Sequence, residues 1–295
     1  MMSLSLLLPG KPDFNLSIDP DPSMRPVFDA IERGLAGADR DAVRAIPTSS
    51  LPDFIVVGAA KSATTTLTRV LGRHPDIFMS KPKEPKFFGR HYDKGWSWYA
   101  NHFSDGGHAK VRGEGSTMYT SPLPGFQHTA ALISTYLPNA KIIYMARHPL
   151  DRIVSHWRHI KGKHPDTSDF NRLLKTSRLK RLLIGCSLYY ERVNQFRAHF
   201  SDDRILCLTF EDFLGSPSVS LERVLAFLGV DGPVEPLLND GVRLPMVNEA
   251  GQQGRRYVDK PRWPLLMKWK ISRLLRDDAR QFLNYIGKPA DYWKL

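Results

Sequence analysis

The residues best equipped for chemistry fall in three places along the 295-residue chain. The first is Lys61-Ser62-Ala63-Thr64-Thr65-Thr66, which follows the β-branched run Phe54-Ile55-Val56-Val57 and leads into a helical stretch ending near Leu71. A lysine and a cluster of hydroxyls at the start of a helix suit an anion, because the first amides of a helix have no intrahelical acceptor and carry partial positive charge. The second is Arg147-His148-Pro149-Leu150-Asp151-Arg152-Ile153-Val154-Ser155-His156-Trp157, with Arg147 at the carboxyl end of the strand Lys141–Ala146. Pro149 opens a helix to about Ile160. Ser155 lies about two turns in and shares a face with Arg152. An arginine fork and a hydroxyl converging there suit a phosphate monoester. The third is Lys83-Glu84-Pro85-Lys86-Phe87-Phe88, where Glu84 is the candidate to take a proton from an attacking hydroxyl. Lys83 and Lys86 act to lower its pKa and burial beside Phe87 and Phe88 to raise it.

Each place has a plainer reading. Ser62 or Thr64 could cap an ordinary helix, Arg147 and Arg152 could lie on a solvated helix, and Glu84 could be a surface residue in a lysine-rich loop. An NTPase phosphate loop would read G-x-x-x-x-G-K-[ST]. Here the lysine precedes the hydroxyls, no glycine follows Gly58 until Gly72, and the strand ending at Arg147 offers no magnesium-holding aspartate. His156, His159 and His164 have possible ligand spacing but no supporting Cys or carboxylate, so they read as a solvated helix face rather than a metal site.

These segments need a scaffold of alternating strands and helices. Strands are expected at 54–57, 77–79, 141–146 and 205–209, and helices at 188–200 and 218–228, the last ending at Gly229. That alternation implies a mostly parallel sheet covered on both faces. Residues 1–50 read as an N-terminal extension with a helix or two around Val27–Gly34 and Asp39–Ala45, and 51–295 as the domain. Trp263–Ile286 has helical spacing of leucines and aromatics among Lys and Arg; it reads as a helix packed on the domain, with a membrane-surface helix as the other reading.

Composition sets bounds. Lys plus Arg number 42 against 30 Asp plus Glu, a formal charge of +12, which favours a polyanionic partner without choosing among nucleic acid, acidic membrane, phosphorylated cofactor and acidic glycan. Two cysteines, Cys186 and Cys207, make neither a disulfide framework nor a zinc site. The apolar run at 4–8 is broken by Pro9 and Gly10 well short of the ~20 residues a span needs. The expectation is a soluble, cytoplasmic protein.

Taken together, the motifs resemble the sulfotransferase family that uses 3′-phosphoadenosine-5′-phosphosulfate (PAPS). K-[ST]-[GA]-T-T opens that family's 5′-phosphosulfate loop and R-x-P-x-x-R-x-x-S-x-W its 3′-phosphate motif. Lys83–Phe88, Tyr92-Asp93-Lys94-Gly95-Trp96-Ser97-Trp98-Tyr99 and Gly113-Glu114-Gly115-Ser116-Thr117-Met118-Tyr119 resemble its bacterial and heparan-sulfate-type carbohydrate branch. The resemblance implies a three-layer α/β sulfotransferase fold, with sulfuryl transfer from PAPS to a hydroxyl or amine and release of 3′-phosphoadenosine-5′-phosphate (PAP), without a metal. It assigns Lys61, Ser62, Ala63, Thr64, Thr65 and Thr66 to the 5′ phosphosulfate, Arg147 and Ser155 to the 3′ phosphate, and Lys61 and Glu84 to catalysis. Tyr189 aligns with a tyrosine near the nucleotide, or packs its helix. Gly254, Arg255 and Arg256 resemble the loop that closes over the nucleotide, where heparan-type enzymes usually have lysine before the glycine and this chain has Gln253. Trp96, Trp98, Tyr99 and Tyr119 either line an acceptor site or belong to the core. The implied partner is a small-molecule, glycan or lipid acceptor rather than nucleic acid. A nucleotide kinase and a non-catalytic polyanion binder are the rival readings.

Overall fold

The structure, a computed structural model, describes residues 22–173, 177–245 and 257–295. Five strands form one parallel sheet in the order β2-β3-β1-β4-β5: β1 is Phe54–Gly58, β2 Ile77–Met79, β3 Val111–Glu114, β4 Lys141–Ala146 and β5 Ile205–Thr209. Phe54 pairs with Gly113 on one side and Lys141 on the other, so β1 is the centre of the sheet.

Because side chains alternate along a strand, the central strands feed two separate cores. Phe54, Val56, Ile143, Met145 and Leu208 enter one; Ile55, Val57, Ile142, Tyr144, Ala146 and Cys207 enter the other. The main helices, in chain order, are α1 (Arg25–Leu35), α2 (Thr64–Leu71), α3 (Thr129–Tyr136), α4 (Pro149–Lys163), α5 (Tyr189–Arg197), α6 (Pro217–Leu228) and α7 (Leu265–Tyr285). Leu67, Val70 and Leu71 of α2 and Leu221, Val224 and Leu225 of α6 cover the first face. α1, α3, α5 and part of α7 cover the second, with Val27 and Ile31 of α1 inside that core. Both layers follow from strands that are apolar on either side.

β3 was not among the expected strands. It carries Arg112, Gly113 and Glu114 in the sheet interior, tolerated because each has a tertiary partner: Arg112 pairs with Asp53 at 2.7 Å, and the Phe54 ring covers Gly113 so closely that an added Cβ would lie 2.2 Å from it. Both cysteines are free and buried, and burial pushes the Cys207 thiol up to about 12. Among the described residues no helix is long and apolar enough to cross a membrane.

Candidate active site

Parallel strands point their carboxyl ends the same way, and ligands of open α/β sheets bind at that edge. Here a residue beyond the carboxyl end of each of the five strands reaches a single cavity of about 520 Å³: Lys61 after β1, Glu84 after β2, Thr117 after β3, Arg147 after β4 and Phe210 after β5. Ala60, Ala63, Thr64, Thr65, Thr66, Lys86, Met118, Ser155, His156, His159 and Lys163 complete its lining.

The loop between β1 and α2 turns through two left-handed residues, Lys61 at φ 73° and Ala63 at φ 63°. Such a conformation is unfavourable for a residue with a Cβ; its effect here is to place three threonines in the first turn of α2 along the cavity. The Lys61 ammonium lies 3.4 Å from His159 Nδ1 across the opening. Ser62 differs from its neighbours in the motif. Its side chain is fully buried, does not line the cavity, and its hydroxyl has no hydrogen-bond partner.

From the loop after β4, Arg147 stacks its guanidinium over the Phe210 ring at 4.1 Å and donates to the Lys61 carbonyl at 3.3 Å. Ser155 opens into the same space from α4. The expected convergence with Arg152 is corrected by the structure. Arg152 is fully buried and donates inward to Ser187 Oγ at 2.7 Å, to the Ala60 carbonyl at 3.2 Å and to the Leu183 carbonyl. A buried guanidinium must be hydrogen-bonded throughout, and this one ties α4 to the phosphate-type loop instead of facing it. Tyr189 is likewise buried behind the cavity, its hydroxyl donating to the Arg147 carbonyl at 2.6 Å. Gln253, Gly254, Arg255 and Arg256 lie outside the described residues.

The histidine reading is also corrected. His156 is buried beside Arg152, with Nδ1 3.1 Å from the guanidinium, and burial followed by that charge and Lys61 holds its pKa well below the usual value. His159 lines the cavity and only His164 is solvent-exposed. Among the described residues no group of three His, Cys, Asp or Glu is placed to hold a metal ion.

Glu84 sits between two ammonium groups, 3.3 Å from Lys83 and 3.4 Å from Lys86, and accepts from the Thr117 hydroxyl at 3.2 Å. Desolvation is the largest single influence and acts upward, but the two lysine charges and their hydrogen bonds together outweigh it. The carboxyl is held below the usual range and is therefore ionised at neutral pH. For Lys83 burial dominates and lowers the pKa. Lys83 also donates to Thr65 Oγ1 at 3.2 Å, joining the Glu84 loop to the phosphate-type loop. Sequence reasoning used it only as a charge near Glu84; the signal available was its place in the same short motif.

Beneath this loop is the fully buried Glu114. It accepts from Tyr99 at 2.7 Å, Tyr119 at 2.9 Å and Ser116 at 2.5 Å. Ser116 in turn accepts from the Lys86 amide at 2.9 Å and Tyr119 from the Phe88 amide at 3.3 Å, while the Gly115 amide donates to the Lys83 carbonyl. The aromatics therefore divide: Trp96, Tyr99 and Tyr119 are core, Trp98 is half-buried against it, and none lines the cavity. Phe87 stacks on Tyr99 at 4.5 Å.

A second groove of about 990 Å³ shares Thr65 with the first cavity and is lined by Lys83, which bonds to Glu84. Arg69, Arg73, Lys81, His74 and His108 line it against a single carboxylate, Asp105.

Comparison with known proteins gives matches of the same kind. Residues 51–242 match the model of the sulfotransferase domain family. Over 247 residues the chain is 26% identical to heparan sulfate glucosamine 3-O-sulfotransferase 3B1 of Mus musculus, covering 80% of this chain and 62% of that protein. It is 26% identical over 280 residues to the bifunctional heparan sulfate N-deacetylase/N-sulfotransferase 2 of Mus musculus, covering 82% of this chain and 31% of that one. The chain thus spans less than two thirds of the length of these curated relatives. Among solved structures, a sulfotransferase from Alicyclobacillus acidocaldarius superposes with a TM-score of 0.65 at 23% identity, over 83% of this chain and 99% of that one, which is a likeness of fold.

Proposed function

Because the chain belongs to the sulfotransferase family, we propose that it transfers the sulfuryl group of PAPS to a hydroxyl or amine of an acceptor and releases PAP. The observation that carries the reading is the cavity itself, which Lys61 and Thr64–Thr66 from one motif and Arg147 and Ser155 from the other line together with Glu84. Two sets of cationic and hydroxyl groups, one from each motif, suit a nucleotide with phosphorus at both its 5′ and 3′ positions.

In this reading the acceptor oxygen or nitrogen attacks sulfur in line, and its proton passes to the Glu84 carboxylate. The bond from sulfur to the 5′-phosphate oxygen breaks, and Lys61 with the α2 amides offsets the charge gathering on that oxygen. Lys83, bonded to both Thr65 and Glu84, keeps donor loop and base in register. The chemistry needs no covalent enzyme intermediate and routes no step through a metal.

The acceptor is proposed to be a carbohydrate. The cationic groove adjoining the transfer site at Thr65 and Lys83 supports one bearing anionic groups, and the named relatives act on heparan sulfate. Two free buried thiols support a reducing, cytoplasmic setting. The experiment is transfer from labelled PAPS to a panel of acidic and neutral saccharides, lipids and phenols, read by mass spectrometry. Glu84→Gln should abolish product on every acceptor while calorimetry shows PAP affinity within about threefold of wild type. Lost PAP binding in that variant would make Glu84 a structural residue, and absence of PAP binding by the wild-type protein would refute the reading.

A further inference from the structure

The first turns of α7 leave an apolar surface open to solvent. Leu265, Leu266 and Trp269 are 87, 65 and 53% exposed, although the same helix buries Ile271, Leu275, Ala279, Phe282 and Leu283 in the two cores it touches. At about 100° per residue the three exposed side chains occupy one arc of roughly 100°, on the side away from Leu275. Large apolar groups rarely stay so exposed together without a partner.

The charges around them indicate which partner. Arg262, Lys268, Lys270 and Arg273 are exposed, and none pairs with a carboxylate among the described residues. Arg273 lies 5.5 Å from the Trp269 ring, and Arg280 continues on the same arc. Along the chain the nearest acids are Asp259, ahead of the helix, and Asp277, two turns beyond Trp269; from neighbouring elements Asp151 pairs with Lys260 and Asp169 adjoins Phe170 under Trp263, while Asp278 is buried and accepts from the Tyr190 and Glu191 amides.

We propose that this face docks on an anionic lipid bilayer. Leu265, Leu266 and Trp269 enter the boundary between headgroups and acyl chains, and Arg262, Lys268, Lys270 and Arg273 meet the lipid phosphates. An amphipathic Trp beside Lys and Arg stems suits that boundary, where one end of each side chain is apolar and the other wet. A second copy of the chain would bring the same cations face to face, on a protein of net charge +12. A soluble polyanion would satisfy the cations and leave the apolar trio exposed. Only an anionic membrane uses both. The inference is independent of the transfer reaction.

The test is co-sedimentation of the full chain with vesicles of phosphatidylcholine alone and of phosphatidylcholine with about a quarter phosphatidylglycerol, at roughly 0.1 M salt. Binding to the anionic vesicles should be at least about tenfold tighter. The triple variant Leu265→Ser, Leu266→Ser, Trp269→Ser should lose about tenfold or more of it at an unchanged unfolding temperature. The single variant Leu265→Glu, at the most exposed position, should weaken it in the same direction. Wild-type protein that ignores anionic vesicles overturns the proposal. So does a triple variant that binds as wild type, which would assign the binding to general surface charge. A concentration-dependent dimer in sedimentation velocity that the triple variant abolishes would assign the face to self-association and also overturn it.

Discussion

Replacing Glu114 with Gln should make the protein less sensitive to rising pH, by an amount that follows from where the carboxyl sits. It is fully buried, and desolvation raises its pKa to about 7 from an ordinary 4.5, even though Ser116, Tyr99 and Tyr119 all donate to it. Between those two values the folded protein still holds a proton that the unfolded chain has released. Stability therefore falls as pH rises through that window. A difference of about 2.5 units at about 1.36 kcal/mol each gives ~3 kcal/mol. Gln is nearly isosteric: its oxygen can accept from both tyrosines, and its amide can donate to the Ser116 hydroxyl. The assay is urea unfolding of wild type and Glu114→Gln from about pH 5 to pH 8. The difference in unfolding free energy between them should move by ~2.5 kcal/mol in favour of the variant, most steeply near pH 6. Other titrating groups are common to both proteins and cancel. Parallel curves, separated by a constant to within about 0.5 kcal/mol, would mean that Glu114 is not a neutralised carboxyl in the folded state.

Two further substitutions separate cavity residues from their supports. Lys61→Ala should lower kcat for transfer from PAPS by ~10² or more, because the lysine is placed to offset charge that appears only as the leaving group departs; a loss under about threefold would remove it from the mechanism. Arg152→Met should cost roughly 1–3 kcal/mol of stability, since it leaves the Ala60 carbonyl without its donor in the interior, while Ser187 still donates to the Leu183 carbonyl. A variant with wild-type stability and lost PAP affinity would instead return Arg152 to the phosphate.

What could be read from the sequence divides along a physical line. The strands Ile77–Met79, Lys141–Ala146 and Ile205–Thr209 were expected with the bounds they have, since each is a short apolar run closed by turn residues. Lys61, the threonines, Arg147, Ser155 and Glu84 were singled out by residue type and by the resemblance of their motifs to the sulfotransferase family, and all of them line the cavity. β3 was hidden, because an arginine, a glycine and a glutamate in a central strand contradict every local preference. Their partners are Asp53, the Phe54 ring and hydroxyls from Tyr99, Ser116 and Tyr119. Spacing placed Arg152 beside Ser155 on one helical face and could not tell a guanidinium facing a phosphate from one facing carbonyls.

That line also explains how the site holds together. Most polar groups facing the cavity are cationic or hydroxylic, and contacts such as those of Glu84 with Lys86 and Thr117 and of Arg147 with Phe210 link side chains without fixing the backbone that carries them. The buried contacts fix it. Arg152 pins the Ala60 carbonyl, one residue before Lys61, while Tyr189 holds the Arg147 carbonyl. The Glu114 cluster takes the amides of Lys86 and Phe88, which follow Glu84 in the same segment. Each of the three chemical segments is thus fastened through its backbone, from behind, by a side chain that never meets the cavity. Backbone fastening leaves the functional side chains free to serve a ligand, and it draws on residues whose purpose no local pattern announces.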